Sequence, residues 1–378
     1  MPYEERKSEY RDIKSLNQSH SGLGKILTIT NPIFICVISY TRTSEIPGIT
    51  MAGANAELLK FTSAADSEFL YYGRCKCINK VPVTPDGKPT PAIVTRSALQ
   101  LTDIPFLIVD AGSKIKPCIP YISFSVESGK NIKYAVGVDI NDVKKAFDYG
   151  VILGKQLSKT NDLVVVGESI PGGTTTALGV LVALGVDAKF KVSSSMPENP
   201  HLLKNSIVDE GMRRAGISYG GLKDYPFKAV SLFGDPMIPS VAGIAAGVMS
   251  SKGRVMLAGG TQMSAVVAIL NALHISVDNL CIGTTSYVAA DRSSNLVDLM
   301  KLISKDVPIY SSNLHMVESS KPGLRAFANG YVKEGVGSGG VSITSMLRSK
   351  DTIDGRAILK AIEHEYEIAI EKSIIEPP

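Results

Sequence analysis

The sequence predicts an α/β chain with a Rossmann-like, mostly parallel sheet carrying helices on both faces, plus a small helical subdomain from the chain termini. Short apolar runs alternate along the chain with longer stretches of helical period, the order expected of βαβ units. Those runs are continuous rather than alternating apolar and polar, as strands buried on both faces require. Glycine, 34 of 378 residues, gathers where strands give way to helices.

Residues 1–25 are polar and charged, and the first strand is expected over 33–40, a β-branched and apolar run. Residues 54–61 read as helical, 81–91 as a Pro/Gly-rich surface loop, and 106–110 as another apolar run closing on Asp-Ala-Gly. The pattern then becomes regular: helix over 141–157 from an Asn/Asp start, strand over 163–167, helix over 174–184 opening with three threonines, and helix over 201–213. A strand over 229–234 and a helix over 239–249 follow, the helix with a proline near its start. Residues 254–258, 261–273, 280–284, 293–303 and 307–311 continue strand, helix, strand, helix, strand. An acidic amphipathic helix over 353–374 closes the chain, with Leu359, Ile362, Tyr366, Ala369 and Ile370 on one face. That face suits either docking on the core or contact with a second copy. The whole reads as a single domain over 1–378, its α/β core over about 30–345 and its small subdomain from about 1–30 and 346–378.

Composition removes several classes of function. Forty basic against 36 acidic residues give a net charge of +4, too mild and too evenly mixed for a nucleic-acid or polybasic membrane surface. The apolar tracts 178–186 and 241–249 fall short of the roughly 20 residues that span a bilayer. An odd set of five cysteines and an opening without an apolar h-region suggest a reducing, cytoplasmic setting. Cys75 and Cys77 have no second pair at zinc-ribbon spacing, and the five histidines show no H-x-x-x-H pattern, so no metal site is expected.

In such sheets ligands bind where strands end and helices begin, because free N–H groups and helix dipoles converge there. Four loops at such positions carry unusual chemistry. The first, Gly167-Glu168-Ser169-Ile170-Pro171-Gly172-Gly173-Thr174-Thr175-Thr176, nearly matches a Walker A loop but has Gly173 where the phosphate-binding lysine belongs. Without that lysine, and with Glu168 at the strand's end, nucleoside triphosphate hydrolysis is not expected. The second, Ser193-Ser194-Ser195-Met196-Pro197-Glu198-Asn199-Pro200, precedes a helix bearing Lys204. It suits a single phosphate group or, equally, a plain capping turn. The third comprises Phe233-Gly234-Asp235-Pro236 and Ala258-Gly259-Gly260-Thr261, either of which reads also as turn chemistry. The fourth, Lys333-Glu334-Gly335-Val336-Gly337-Ser338-Gly339-Gly340, sets a carboxylate among four glycines, where it serves as a general base or stands as a solvated loop residue.

Together these loops resemble those of the nicotinate-nucleotide:dimethylbenzimidazole phosphoribosyltransferases of cobalamin lower-ligand assembly, and most closely their archaeal branch. That family carries G-E-x-G-x-G-N-T-T after a central strand, matched by Gly167 to Thr175, and a late G-E-G-x-G-A, which Lys333 to Gly339 resembles. Its phosphate loop and following lysine fall on 193–200 and Lys204, with serines in place of glycines. The similarity runs from about Leu163 to Met346, roughly half of the chain. It implies transfer of phosphoribose from nicotinate mononucleotide to an azole base, with no cofactor and a homodimeric assembly. Glu334 would be the base, and Glu168 would either stabilise positive charge on the ribose or hold the nicotinate carboxylate through its backbone. Gly167, Gly172, Gly173, Thr174, Thr175, Ser193, Ser194, Ser195, Lys204, Gly259, Gly260, Gly335 and Gly337 would line the substrates. Two departures stand out. The asparagine before the paired threonines is Gly173 here, and 43–50 lacks the histidine of the family's early D-H-G-V segment. The acceptor is therefore open among dimethylbenzimidazole, adenine and other azoles.

Two other readings compete. An NAD- or nucleotide-binding Rossmann-type oxidoreductase requires an acidic residue about 20 positions beyond its glycine motif, and Asp187 sits near that distance from Gly167. A non-catalytic nucleotide-binding protein would leave Glu334 an ordinary loop residue.

Overall fold

The computed structural model describes residues 10–17, 28–53, 55, 57–79, 81–84 and 87–372. Its strands are β1 (Ile13–Ser15), β2 (Pro32–Ile38), β3 (Phe106–Asp110), β4 (Ile122–Ser123), β5 (Leu163–Ser169), β6 (Val255–Ala258), β7 (Leu280–Thr285) and β8 (Ile309–Ser312). The helices are α1 (Thr62–Tyr72), α2 (Ala92–Thr102), α3 (Ile140–Leu157), α4 (Gly173–Ala183), α5 (His201–Ala215), α6 (Pro226–Phe233) and α7 (Met237–Ser250). They continue with α8 (Met263–Ala272), α9 (Ser286–Ala289), α10 (Leu296–Ile303), α11 (Pro322–Ala328), α12 (Ser338–Arg348) and α13 (Gly355–Tyr366).

The strands form one sheet in the order β1-β8-β7-β6-β5-β2-β3-β4, parallel throughout except for β1 against β8. Adjacent residues of each strand feed opposite cores, as the two-residue period of a strand dictates. Ile33, Ile35 and Val37 of β2 pack on one face with α3, α4, α7 and α8. Phe34, Cys36 and Ile38 pack on the other with α1, α2, α12 and α13. The expected α/β sheet, covered on both faces, is what the chain builds. β2 has β3 on one side and β5 on the other, so the order reverses between β2 and β5. The carboxyl ends of those two strands open a crevice there, the place where such sheets bind ligands.

On the first face α3 and α7 cross unusually closely. A Cβ added at Gly154 would lie 2.2 Å from the Ile244 carbonyl oxygen, one at Gly243 2.1 Å from that of Phe147, and one at Gly247 2.2 Å from that of Val151. Gly150 completes two glycine pairs, each four residues apart, that let the backbones touch. On the opposite face α12 settles directly on the sheet: a Cβ on Gly339 would lie 2.1 Å from the Thr284 carbonyl carbon, and one on Gly167 2.7 Å from the Gly337 Cα. Two of the glycines expected at the substrates, Gly167 and Gly337, thus have a packing reason for being glycine.

The two ends of the described chain meet at one corner of the sheet. Asp12, beside β1, accepts the Gly355 N–H at 2.9 Å and faces His315 Nε2 at 2.7 Å. The apolar face expected on the last helix is real, and Leu359, Ile362, Tyr366 and Ala369 of it are buried against this chain's own core. A π-helical segment, Glu367–Glu371, extends α13; residues 373–374 of the expected helix lie outside the described ones.

Several elements differ from expectation. The expected strand over 229–234 is the body of α6, which starts with Pro226 at its first turn. Helices α3, α4 and α5 enclose it, so its short run is apolar without a period to betray it. The expected helix over 54–61 is only a 3-10 turn at Leu59–Phe61, with the true helix beginning at Thr62; residues 54 and 56 lie outside the described ones. The sequence gives no expectation of a strand or helix where α1, α2, α11 and α12 form. No helix among the described residues is long and apolar enough to cross a membrane.

Candidate active site

An open cleft lies over the strand-order reversal. Glu168, at the end of β5, and Glu334, on the loop before α12, both line it. So do Gly172, Gly173 and Thr174 at the start of α4, Ser193 to Ser195, Gly260 with Thr261, and Gly335. Of the expected site residues, Gly167, Thr175, Lys204, Gly259 and Gly337 do not line it.

Glu168 is buried, and its Oε2 accepts the Ile170 N–H at 2.9 Å. Burial raises its carboxyl to about 8, against that one hydrogen bond, and Glu334, Asp235 and Asp66 nearby add to the rise. Glu334 is held by donors on both oxygens. Oε1 accepts from the Ser338 hydroxyl at 2.7 Å and the Gly339 N–H at 3.1 Å; Oε2 accepts from the Thr285 N–H at 2.9 Å. This carboxylate therefore sits on the first N–H groups of α12, where the helix dipole welcomes negative charge. Burial still pushes its pKa up, with those hydrogen bonds opposing.

Lys204 lies behind the wall of the cleft. Its ammonium, fully buried, donates to Thr174 Oγ1 at 2.8 Å and to the Ser193 carbonyl at 2.5 Å, so it fixes two lining segments to each other. Burial, with Lys333 beside it, lowers its pKa to about 7, and Asp291 opposes the fall. Lys333 is part of the cleft wall, with its buried ammonium paired with Asp291 at 2.6 Å and bonded to the Met196 carbonyl at 2.9 Å. Burial would raise the Asp291 carboxyl, but Lys333 and Ser293 hold it down at about 2. Ser193 bonds Thr261 Oγ1 through both its N–H, at 2.8 Å, and its hydroxyl, at 3.0 Å. Ser195 Oγ accepts the Met51 N–H at 3.1 Å, bringing the 49–53 segment over the serines.

Asp235 of the third loop does not line the cleft. It accepts the Met237 and Ile238 N–H groups and caps α7, the turn-chemistry reading. Asp187, required by the oxidoreductase reading, is an exposed side chain paired with Lys191 at 2.8 Å. It is likewise absent from the cleft.

Among the lining residues without a role that the sequence alone suggests are Lys333, Asp66 and Thr62. Lys333 stands there only as a flank of Glu334. Asp66 and Thr62 sit on α1, an element the sequence does not announce; the one available signal is a carboxylate within the small-residue run Ser63-Ala64-Ala65. The loop over 81–91, expected at the surface, also contributes Pro82, Val83, Thr84, Thr90 and Pro91 to the cleft; residues 85 and 86 lie outside the described ones. No group of three or more metal-ligating side chains is assembled among the described residues.

Burial gives the site a signature in stability. Asp66 and Asp235 are raised to about 6, and Glu168 to about 8. Each binds its proton more tightly folded than unfolded, so its contribution to stability is complete below pH about 4 and is lost as pH rises through the folded value. The denaturant midpoint is expected to fall from pH about 4 to about 7, most steeply below 6. Above about 7, Lys204, whose folded pKa is depressed, gains stability as pH rises and offsets the remaining Glu168 loss. A midpoint that climbs between pH about 4 and about 7 contradicts the assignment.

No family model matches the chain. It is 44% identical over 326 residues to a UPF0284 protein of Methanothermobacter thermautotrophicus, covering 85% of this chain and 89% of the relative. A UPF0284 protein of Archaeoglobus fulgidus is 44% identical over 335 residues, 88% and 93% of the two chains. One of Sulfolobus acidocaldarius is 44% identical over 348 residues, 91% and 96%. Among solved structures, the nicotinate-nucleotide-dimethylbenzimidazole phosphoribosyltransferase of Thermus thermophilus superposes with a TM-score of 0.59 at 13% identity, over 94% of this chain and 89% of that one. A structure of CobT from the same organism gives 0.57 at 13%, over 87% and 84%. At that identity the likeness is one of fold.

Proposed function

The chain belongs to the UPF0284 family, and we propose that it moves phosphoribose from nicotinate mononucleotide to an azole base, releasing nicotinate, in the assembly of a cobalamin lower ligand. The observation that carries this reading is the pair of carboxylates, Glu168 and Glu334, facing one cleft across a shelf of hydroxyl and N–H donors from three strand-to-helix loops.

The 5-phosphate, a monoester, is proposed to sit on Ser193 to Ser195 and Gly260, with Lys333 of the cleft wall as its nearby cation. Lys204 then acts as a positioning residue, holding Thr174 and the Ser193 carbonyl. In the transfer step the azole ring N–H gives its proton to a Glu334 oxygen. That ring nitrogen forms a bond to the anomeric carbon from the side opposite the pyridinium. The old glycosidic pair returns to the pyridine nitrogen, and neutral-ring nicotinate leaves. Positive charge grows on the ribose as the bond loosens, and a nearby carboxylate stabilises it; Glu168 is our candidate. The raised pKa of Glu334 suits a group that must accept a proton near neutral pH, whereas Glu168, raised to about 8 by burial, is proposed to ionise when the cationic pyridinium of the donor binds beside it. We also read the chain as one domain that works in the cytoplasm as a homodimer, a state that size-exclusion chromatography with light scattering tests.

Incubating the protein with nicotinate mononucleotide and a panel of azoles is expected to release nicotinate, read by chromatography, only when an azole is present. Absence of release with every azole, while calorimetry still detects the nucleotide, would sink the transferase reading in favour of a binding protein.

A further inference from the structure

One arm of the cleft is unlike the phosphate shelf. It is walled by Pro82, Val83, Pro91 and Val336, and among the polar side chains that break this apolar surface are Asp66 and Thr62, one helical turn apart on α1. Asp66 is 3% exposed, with Oδ1 accepting the Thr90 hydroxyl and Oδ2 the Ser169 hydroxyl, each at 2.7 Å. The same framework sets the apolar walls. The Thr90 N–H donates to the Pro82 carbonyl at 3.0 Å, and the Thr95 hydroxyl donates to that of Val336 at 2.9 Å. Thr62 Oγ1 is buried without a hydrogen-bond partner.

A buried carboxylate with one donor on each oxygen retains an open lone pair on each, and an orphaned hydroxyl beside it is equally unsatisfied. Proteins seldom leave such groups unpaired, because each costs about 1–3 kcal/mol. An apolar slot holding one strong acceptor and one hydroxyl is filled by a flat heterocycle with an N–H donor next to a ring nitrogen. The nicotinate carboxylate does not fit, since Asp66 would repel it, and a sugar would leave the apolar walls unused.

Resting on the transferase reading above, we propose that Asp66 and Thr62 form the acceptor subsite and select an azole bearing an exocyclic amino group, as adenine does, over the same ring without one. The amino group donates to Asp66, and the adjacent ring nitrogen accepts from the Thr62 hydroxyl. The amine takes no part in the transfer, and the ring nitrogen that loses its proton to Glu334 remains the nucleophile.

The test compares two pairs that differ only by the amine: adenine with purine, and 4-aminobenzimidazole with benzimidazole. The amino member of each pair is expected to have a kcat/KM higher by roughly 10- to 100-fold, the worth of a hydrogen bond to a charged group. Asp66→Leu should erase that preference in both pairs, and Asp66→Asn should shrink it. Equal use of both members by the unaltered protein, or a preference that survives in Asp66→Leu, overturns the proposal. If no azole yields nicotinate, the transferase reading fails first. Calorimetric affinity for adenine against purine then decides the subsite alone, with equal affinities overturning it.

Discussion

Replacing Glu334 with glutamine is expected to lower kcat by roughly 10²- to 10⁴-fold, the range for loss of a positioned general base, with the affinity for nicotinate mononucleotide kept. The substitution removes the proton acceptor and little else in volume. It also changes the loop, because the carboxylate takes its donors on both oxygens: Ser338 and Gly339 on one, Thr285 on the other. A glutamine amide must turn its NH2 toward one of those sets and leave a donor facing a donor. A moderate loss of thermal stability should therefore accompany the kinetic one. The two are separated by the split between kcat and the donor's Kd, and by the acid limb of the kcat–pH profile, which should vanish with the carboxylate. Turnover unchanged in a folded Glu334→Gln protein would remove the general-base role.

The second large effect concerns stability. Lys333 and Asp291 pair at 2.6 Å with side chains only 2% and 4% exposed. Removing one member of such a pair strands a buried charge, so Asp291→Asn is expected to destabilise the fold by about 3–5 kcal/mol, read as a shift of denaturant midpoint at constant slope. Lys333→Met with Asp291→Leu removes both charges and should recover most of that loss. A double variant no better than Asp291→Asn would mean that the remaining contacts of Lys333, chiefly the Met196 carbonyl, matter more than the charge pair.

Much of this architecture is legible in the residues. The runs that form β2, β5 and β7 are legible because they are short, continuous and rich in β-branched residues, as strands covered on both faces are. The loops after β5 and before α12 stand out because each sets a carboxylate among glycines, although packing on the sheet explains Gly167, Gly337 and Gly339. Helix α12 is illegible for a physical reason. Its sequence, Ser-Gly-Gly-Val-Ser-Ile-Thr-Ser-Met-Leu-Arg, is poor in helix formers, and it is helical because nearly every residue is buried against the sheet. The run of α6 misleads in the opposite sense: Ala229, Val230, Leu232 and Phe233 read as a short buried strand, yet the segment is a helix packed among other helices. Asp66 escapes notice because nothing local marks it. Its significance comes from Thr90 and Ser169, which are 24 and 103 residues away in sequence.

The close crossing of α3 and α7 has a consequence for anyone engineering this fold. Glycine inside a helix costs about 0.5–1 kcal/mol relative to alanine, so Gly150, Gly154, Gly243 and Gly247 together forgo roughly 2–4 kcal/mol of helix propensity. The backbone-to-backbone contact has to return at least as much. Exchanging helix glycines for alanine is a standard route to a hardier protein. At these four positions the sign reverses, since a new methyl meets a neighbouring main chain, at 2.2 Å for Gly154 and 2.1 Å for Gly243.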